Sequence, residues 1–310
     1  MATAKTVKAT RSKPKVVQSE SATKLEFNQS GIYILASSLL VGALAISATV
    51  FYFGWRIMST LDEIQYPYDP AAPLSLGSMT YYGRQEGIDG SWYKSCIQSD
   101  KYDSDIDADV QAATDAKIDG TPGFYIGEYA SEATMRGFII PGNYPYATFS
   151  RAIDLVNEKG VDQAFADLTT EMKNSIYQSR YESYLSYYKQ SLSEAEATTR
   201  AEEATTSYVN DKWQIREIGL GSFDPKKNGD PKVLIVEFTD FECPVCRSFA
   251  GSTFTQIDDN YIQNGTVAFY LRNFPLEQLH DNAKNAARAA FCANEKSKFW
   301  DIEPWLFGTN

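Results

Sequence analysis

The sequence predicts an α/β domain held behind a single membrane-spanning helix, and three observations predict it. An apolar run, Val233-Leu234-Ile235-Val236-Glu237-Phe238, has the length and branched content of a buried strand. It leads into Cys243-Pro244-Val245-Cys246, and Phe249 with the spacing that follows points to a helix beginning at that motif. Far upstream, Phe27 to Trp55 contains no Asp, Glu, Lys or Arg, and Ile32 to Phe53 within it is strongly apolar. About 20 such residues span a bilayer core as a helix.

The 310 residues leave room for one or two domains with a sizeable core. The net charge of -11 is unevenly spread, because residues 1–30 carry six basic side chains against Glu20 and Glu26. An acidic body argues against nucleic acid as a partner. The basic tail lies before the apolar run, so it is expected to stay cytoplasmic while the rest is exported. Tyr33, Tyr52 and Trp55 suit the two interfaces. The competing reading is a cleaved signal peptide at Ala43-Leu44-Ala45, although the apolar run continues past that point to Phe53.

In chain order the expected pieces are a basic cytoplasmic tail (1–30), a transmembrane helix (31–55) and a juxtamembrane linker (56–78) rich in proline at Pro67, Pro70 and Pro73. Short helices follow. Asp89 suits a cap before Trp92, Tyr93 and Cys96, and Asp105 with Asp107 precedes a helix through Val110, Ala113 and Ile118. Gly120-Thr121-Pro122-Gly123 breaks that pattern. Phe124-Tyr125-Ile126 and Phe138-Ile139-Ile140 read as two strands. Pro145 suits the first position of a helix carrying Phe149, Ile153 and Val156, since its missing N–H costs nothing there. Residues 159–220 read as a helical connector, with a capping box of Ser193 and Glu196 opening its second helix. Beyond the strand over 231–238 come a helix over 243–264, a strand over Val267 to Leu271, an alanine-rich helix over Asn282 to Ala293, and a last helix interrupted by Pro304.

The chemistry concentrates at Cys243 and Cys246. Unpaired N–H groups at a helix N-terminus favour an anion, and the thiolate is the nucleophile of disulfide exchange. A strand followed by C-x-x-C at a helix start is the arrangement of thioredoxin-like redox sites. With one histidine, His280, and no second C-x-x-C, a zinc site is poorly supported and no metal is expected.

Residues 232–310 resemble the first half of a DsbA-like thiol-disulfide oxidoreductase, a thioredoxin fold with a helical insertion. The resemblance lies in Val236 to Cys246, in Phe274-Pro275-Leu276 with His280 and Asn282-Ala283, and in Lys298-Phe299-Trp300. Residues 80–158 resemble the second half, through Tyr81-Tyr82-Gly83, Tyr93 with Cys96, Lys101-Tyr102, Gly120-Thr121-Pro122, Phe124 to Gly127, and Gly142 with Pro145, Tyr146 and Phe149. The halves stand in reversed order. The implied fold is therefore a circularly permuted thioredoxin-like α/β domain: 79–158 its second half, 159–220 the connector, and 221–310 its first half. A truncated tandem protein is the competing arrangement.

The resemblance implies the roles. Cys243 is the expected attacking sulfur and Cys246 the buried resolving one; a structural disulfide or half a metal site is the alternative for this pair. Pro244 and Val245 form the dipeptide that tunes the thiolate, and no histidine stands there. Thr121-Pro122 matches the family's cis-proline loop, which holds an extended substrate peptide; an ordinary trans turn is the alternative. Glu237 matches a buried acid that relays a proton for Cys246, against a plain strand glutamate facing water. Glu242 is expected to disfavour the thiolate if its carboxylate faces the sulfur. Cys96 and Cys292 fall where some relatives carry a second disulfide and are expected to bond, against two separate buried thiols. His280 reads as structural. The implied activity is disulfide exchange with exported cysteine-containing proteins at the outer face of the cell membrane, without a cofactor and with reoxidation by a DsbB- or VKOR-like membrane partner. A non-catalytic scaffold or holdase is the alternative.

Overall fold

A computed structural model describes residues 47–54, 56 and 66–309. The transmembrane helix expected over 31–55 lies mostly outside these residues; 47–54 are helical and exposed, and no helix among the described residues is long and apolar enough to cross a membrane.

Residues 66–309 build a thioredoxin-like mixed β-sheet with flanking helices. Three helices come first: α1 (Leu76–Gln85), α2 (Gly90–Gln98) and α3 (Asp103–Asp115). Strands β1 (Gly123–Tyr129) and β2 (Thr134–Pro141) follow, then the long α4 (Tyr146–Tyr188) and α5 (Glu194–Lys212). The last part holds β3 (Arg216–Gly219), β4 (Val233–Thr239), α6 (244–262), β5 (Val267–Asn273), α7 (Ala283–Asn294) and α8 (Phe299–Phe307). Helix α6 starts as an α-helix over Pro244–Phe249 and widens to π geometry over Ala250–Phe254 and Asp258–Ile262.

The strands lie in one sheet in the order β3-β2-β1-β4-β5. Only β4 and β5 run parallel, and β1 meets β4 antiparallel with Tyr125 opposite Val236. Every residue of β4 is buried, as befits a central strand, the polar Glu237 and Thr239 included. At the β1–β2 seam Gly127 faces Gly137, where an added Cβ would run into the Arg136 carbonyl. The two strand sets that the sequence places far apart therefore share one sheet and one core.

Two aromatic-rich clusters fill the interior. One lies on the sheet, with Phe124, Phe138, Phe149, Phe249 and Phe269. The other joins α1, α2, α7 and α8 around Tyr93, whose hydroxyl donates to the Ala289 carbonyl at 2.9 Å. The Cys96–Cys292 disulfide ties α2 to α7 across 196 positions. A buried ion pair adds a second tie. Arg272 Nε on β5 donates to Asp109 Oδ1 on α3 at 2.8 Å, Asp109 Oδ2 accepts the Asn273 N–H at 3.0 Å, and Arg272 Nη1 reaches the Gly219 carbonyl at 2.9 Å.

Several elements differ from the sequence reading. Element α4 is two helices that meet at Gly160, whose backbone (φ 77°, ψ 170°) is not helical and is one that glycine permits, so the expected 146–158 helix and the first connector helix stay distinct. Pro145 is the cap of α4 rather than its first residue. The connector is not helical to residue 220, because α5 ends at Lys212 and β3 forms an edge strand on β2. Helix α8 carries Pro304 inside it without breaking; burial of Ile302, Leu306 and Phe307 offsets the lost hydrogen bond. Residues 66–75 are not an open linker: Tyr68 stacks on Tyr81 at 4.4 Å, and Lys94 sits 4.1 Å over the Tyr66 ring.

Candidate active site

The site forms where β4 ends. The chain turns through Asp240-Phe241-Glu242 and enters α6 with Cys243 as its N-cap and Pro244 as its first helical residue, the position where a missing N–H is harmless. The Cys243 N–H donates to the Asp240 carbonyl at 3.1 Å, which fixes the turn. Both thiols are free: Cys243 is 6% exposed and Cys246, one turn inside, is 0% exposed.

The front of the chain closes the site. Thr121-Pro122 is a cis peptide at the entry to β1, and because β1 lies beside β4, the Thr121 carbonyl comes within 3.6 Å of Cys243 Sγ. A cleft of about 160 Å³ opens beside this turn, lined by Ile118, Thr121, Pro122, Ile139 and, from α4, Arg180. The dipeptide Pro244-Val245 beside Cys243 is exposed.

The electrostatics separate the two sulfurs. The Cys246 thiol donates toward Cys243, and the helix N–H groups of Cys246 and Val245 point at it; together they outweigh burial and lower the Cys243 thiol to about 5. Burial first, and then its position as that donor, push the Cys246 thiol far up. These surroundings favour the thiolate at Cys243 and the protonated thiol at Cys246.

Glu237 sits beneath the pair on β4, 3% exposed, with Oε1 bonded to nothing among the described residues. Burial, assisted by the charges of Glu303 and Cys243, pushes its carboxyl up to about 8. It is a buried acid, not a strand glutamate facing water. Glu242 does not point its carboxylate at the sulfur, for its two oxygens accept from Asn282 N at 2.6 Å and Asn282 Nδ2 at 3.1 Å, at the start of α7.

Sequence reasoning missed Asp240. Its side chain is wholly buried; Oδ1 accepts the Glu242 N–H at 2.8 Å, while Oδ2 accepts the Leu276 N–H at 2.8 Å and lies 2.7 Å from His280 Nδ1. Burial works against a charged His280, but the Asp240 hydrogen bond and charge prevail and raise its pKa. The available signal was an acid placed directly after a strand of unbroken burial. Glu303 and Asn273, buried on α8 and β5, also went unremarked. Among the described residues no three His, Cys, Asp or Glu side chains gather as a metal site.

Comparison with known proteins agrees with the geometry. Residues 228–309 match a family model described as Thioredoxin. A probable disulfide bond formation protein D of Bacillus cereus is 35% identical over 89 residues, 25% of this chain and 41% of that protein. An Na(+)/H(+) antiporter NhaA 1 of Mycolicibacterium vanbaalenii is 39% identical over 79 residues, 25% of this chain and 12% of the antiporter. A second NhaA 1, of Mycolicibacterium gilvum, is 38% identical over 94 residues, 28% of this chain and 15% of the antiporter. The chain thus spans less than half the length of each of these relatives. Its C-terminal region, with the C-x-x-C strand and helix, is part of a thioredoxin-superfamily domain.

Proposed function

We propose that this protein is a membrane-anchored, extracytoplasmic thiol-disulfide oxidoreductase that exchanges disulfides with exported proteins through Cys243-Pro244-Val245-Cys246. The observation that carries the reading is the 3.6 Å approach of the Thr121 carbonyl to Cys243 Sγ, which sets a peptide-binding turn beside a nucleophilic sulfur. The single sheet formed by β1 and β2 from the front and β4 and β5 from the back supports a DsbA-like domain in permuted order, with α4 and α5 as the new connection. The basic tail and the apolar run before residue 55 support an anchor with a cytoplasmic N-terminus.

In the oxidising direction a substrate thiolate attacks Cys243 Sγ of the Cys243–Cys246 disulfide. The Cys246 sulfur leaves and takes a proton from Glu237. A second substrate thiolate then attacks the substrate sulfur of the mixed disulfide and releases Cys243 as the low-energy thiolate its surroundings favour. Thr121 and Pro122 hold the substrate extended, and Pro244 and Val245 flank it. The reverse sequence reduces a substrate disulfide. The sulfurs carry both electrons, and a DsbB- or VKOR-like membrane protein restores the disulfide.

The test is catalysed insulin reduction and oxidative refolding of a reduced protein. Cys243→Ser is expected to abolish both. Undiminished activity in that variant contradicts exchange and leaves the scaffold reading, in which the cleft beside Pro122 binds unfolded chains.

A further inference from the structure

Glu237 is 3% exposed. It is enclosed, yet a proton passed to it from Cys246 must leave before the next cycle. The strand register shows what surrounds it. In the parallel β4–β5 pair Glu237 stands beside Leu271 and Thr239 beside Asn273, so these four and Phe269 share one face of the sheet. On that face Glu237 Oε1, Thr239 Oγ1 and both ends of the Asn273 amide are buried without a close hydrogen bond among the described residues, Thr239 lying beside both Glu237 and Cys246 and the Asn273 side chain beside Asp109. Polar atoms are costly to bury in this state, so the lining is polar for a reason other than packing.

The same face leads outward. Trp300 of α8 lies 6.3 Å from the Phe269 ring, and Lys226 Nζ lies 5.8 Å from the Trp300 ring. Glu303 is one helical turn beyond Trp300, on the same side of α8, and is itself 6% exposed. Lys226 forms a 2.7 Å ion pair with Asp258 of α6, and both are partly exposed. Two buried carboxyls and a partly exposed cation therefore stand on the β4–β5 side of the sheet.

We infer that Glu303 is the second station of a buried proton path, which carries the Cys246 proton from Glu237 to the Lys226–Asp258 pair and so to water. This rests on the exchange chemistry proposed above. In the resolving step the Cys246 S–H proton passes to the Glu237 carboxylate, the Cys246 sulfur bonds to Cys243, and the bond between Cys243 and the substrate sulfur breaks. The substrate leaves as a thiolate and takes its proton from water. The Glu237 proton then moves to Glu303, which acts through Glu237 and does not touch the sulfurs. The electrostatics fit. Burial pushes Glu303 up to about 7, with Lys226 drawing it down and Asp258 raising it, while Glu237, faced by Thr239, Cys243, Cys246 and Glu303, stands near 8. Carboxyls so similar in proton affinity exchange a proton at little cost in either direction.

The test follows the resolving step directly. The full chain in detergent, with Cys243 joined to glutathione after a single turnover with oxidised glutathione, is acid-quenched over time and the closure of Cys243–Cys246 is read by mass across a pH series. Glu303→Gln is expected to slow closure about tenfold, the low end for one proton-transfer group, and to move its pH profile down, since Glu237 loses a neighbouring negative charge. Alkylation of Cys243 in the same variant is expected to be unchanged, and Glu303→Asp to restore most of the rate. Lys226→Gln is expected to move the profile up, and this variant decides alone if Glu303→Gln does not fold. Wild-type closure and pH profile in Glu303→Gln or in Lys226→Gln, with Glu237→Gln still slow, overturn the path and leave the exchange reading standing. Normal exchange in Cys243→Ser overturns the reading beneath it.

Discussion

Asp240 Oδ2 lies 2.7 Å from Nδ1 of His280, and the main-chain carbonyl of the same aspartate holds the Cys243 N–H. One buried residue thus joins the turn before the two free cysteines to the loop after β5. The dipeptide Pro244-Val245 offers no imidazole; the chain's single histidine is anchored next door instead.

That pairing has a signature. Because Asp240 holds the ring charged, the His280 pKa is raised above the usual 6.5. The sign follows from linkage: the pair's contribution to stability is fully present below the unfolded-state value and is lost as pH rises through the higher folded value. Proton NMR of the only imidazole in the chain is expected to give a midpoint above 6.5, and Asp240→Asn to bring it down. A midpoint at or below 6.5 in the wild type contradicts the pairing.

Thiolate formation at Cys243 depends first on the Cys246 thiol. Iodoacetamide is expected to modify Cys243 with a midpoint near pH 5 and to leave Cys246 untouched under native conditions. Cys246→Ala removes the donor, so the midpoint should climb toward the ordinary thiol range near 8.5. No movement in that variant assigns the thiolate to the helix N–H groups alone.

The Cys96–Cys292 bond closes a loop of almost two hundred residues between α2 and α7. Replacing both cysteines by alanine is expected to cost about 2–5 kcal/mol in urea unfolding, the usual range for a native bridge. Peptide mapping without reductant should recover the linked pair.

Asp109→Ala leaves the Arg272 guanidinium buried without its partner. The expected loss is about 3–5 kcal/mol, read as a lower urea midpoint. The double variant Asp109→Ala with Arg272→Met should recover part of it, because the stranded charge is gone.

How much of this was legible from residues alone depended on how local each signal was. The β4 strand, the C-x-x-C helix start and the Ser193–Glu196 capping box are written in neighbouring residues, and the structure has all three. The Cys96–Cys292 bond and the cis bond at Pro122 were expected from the family resemblance, and both are present. Asp240 was not legible, because its partners Leu276 and His280 lie 36 and 40 positions away. Strand β3 was missed since Arg216-Glu217-Ile218-Gly219 is a short edge strand with one apolar side chain.

The account depends on an active centre assembled from distant parts of the chain. Its most direct test traps Cys246→Ser as a mixed disulfide with a cysteine peptide that carries a photo-crosslinking residue just before its cysteine. Crosslinks within residues 118–123 are the result expected. Crosslinks that stay within 240–250 and 274–282, with none at the Thr121-Pro122 turn, contradict it.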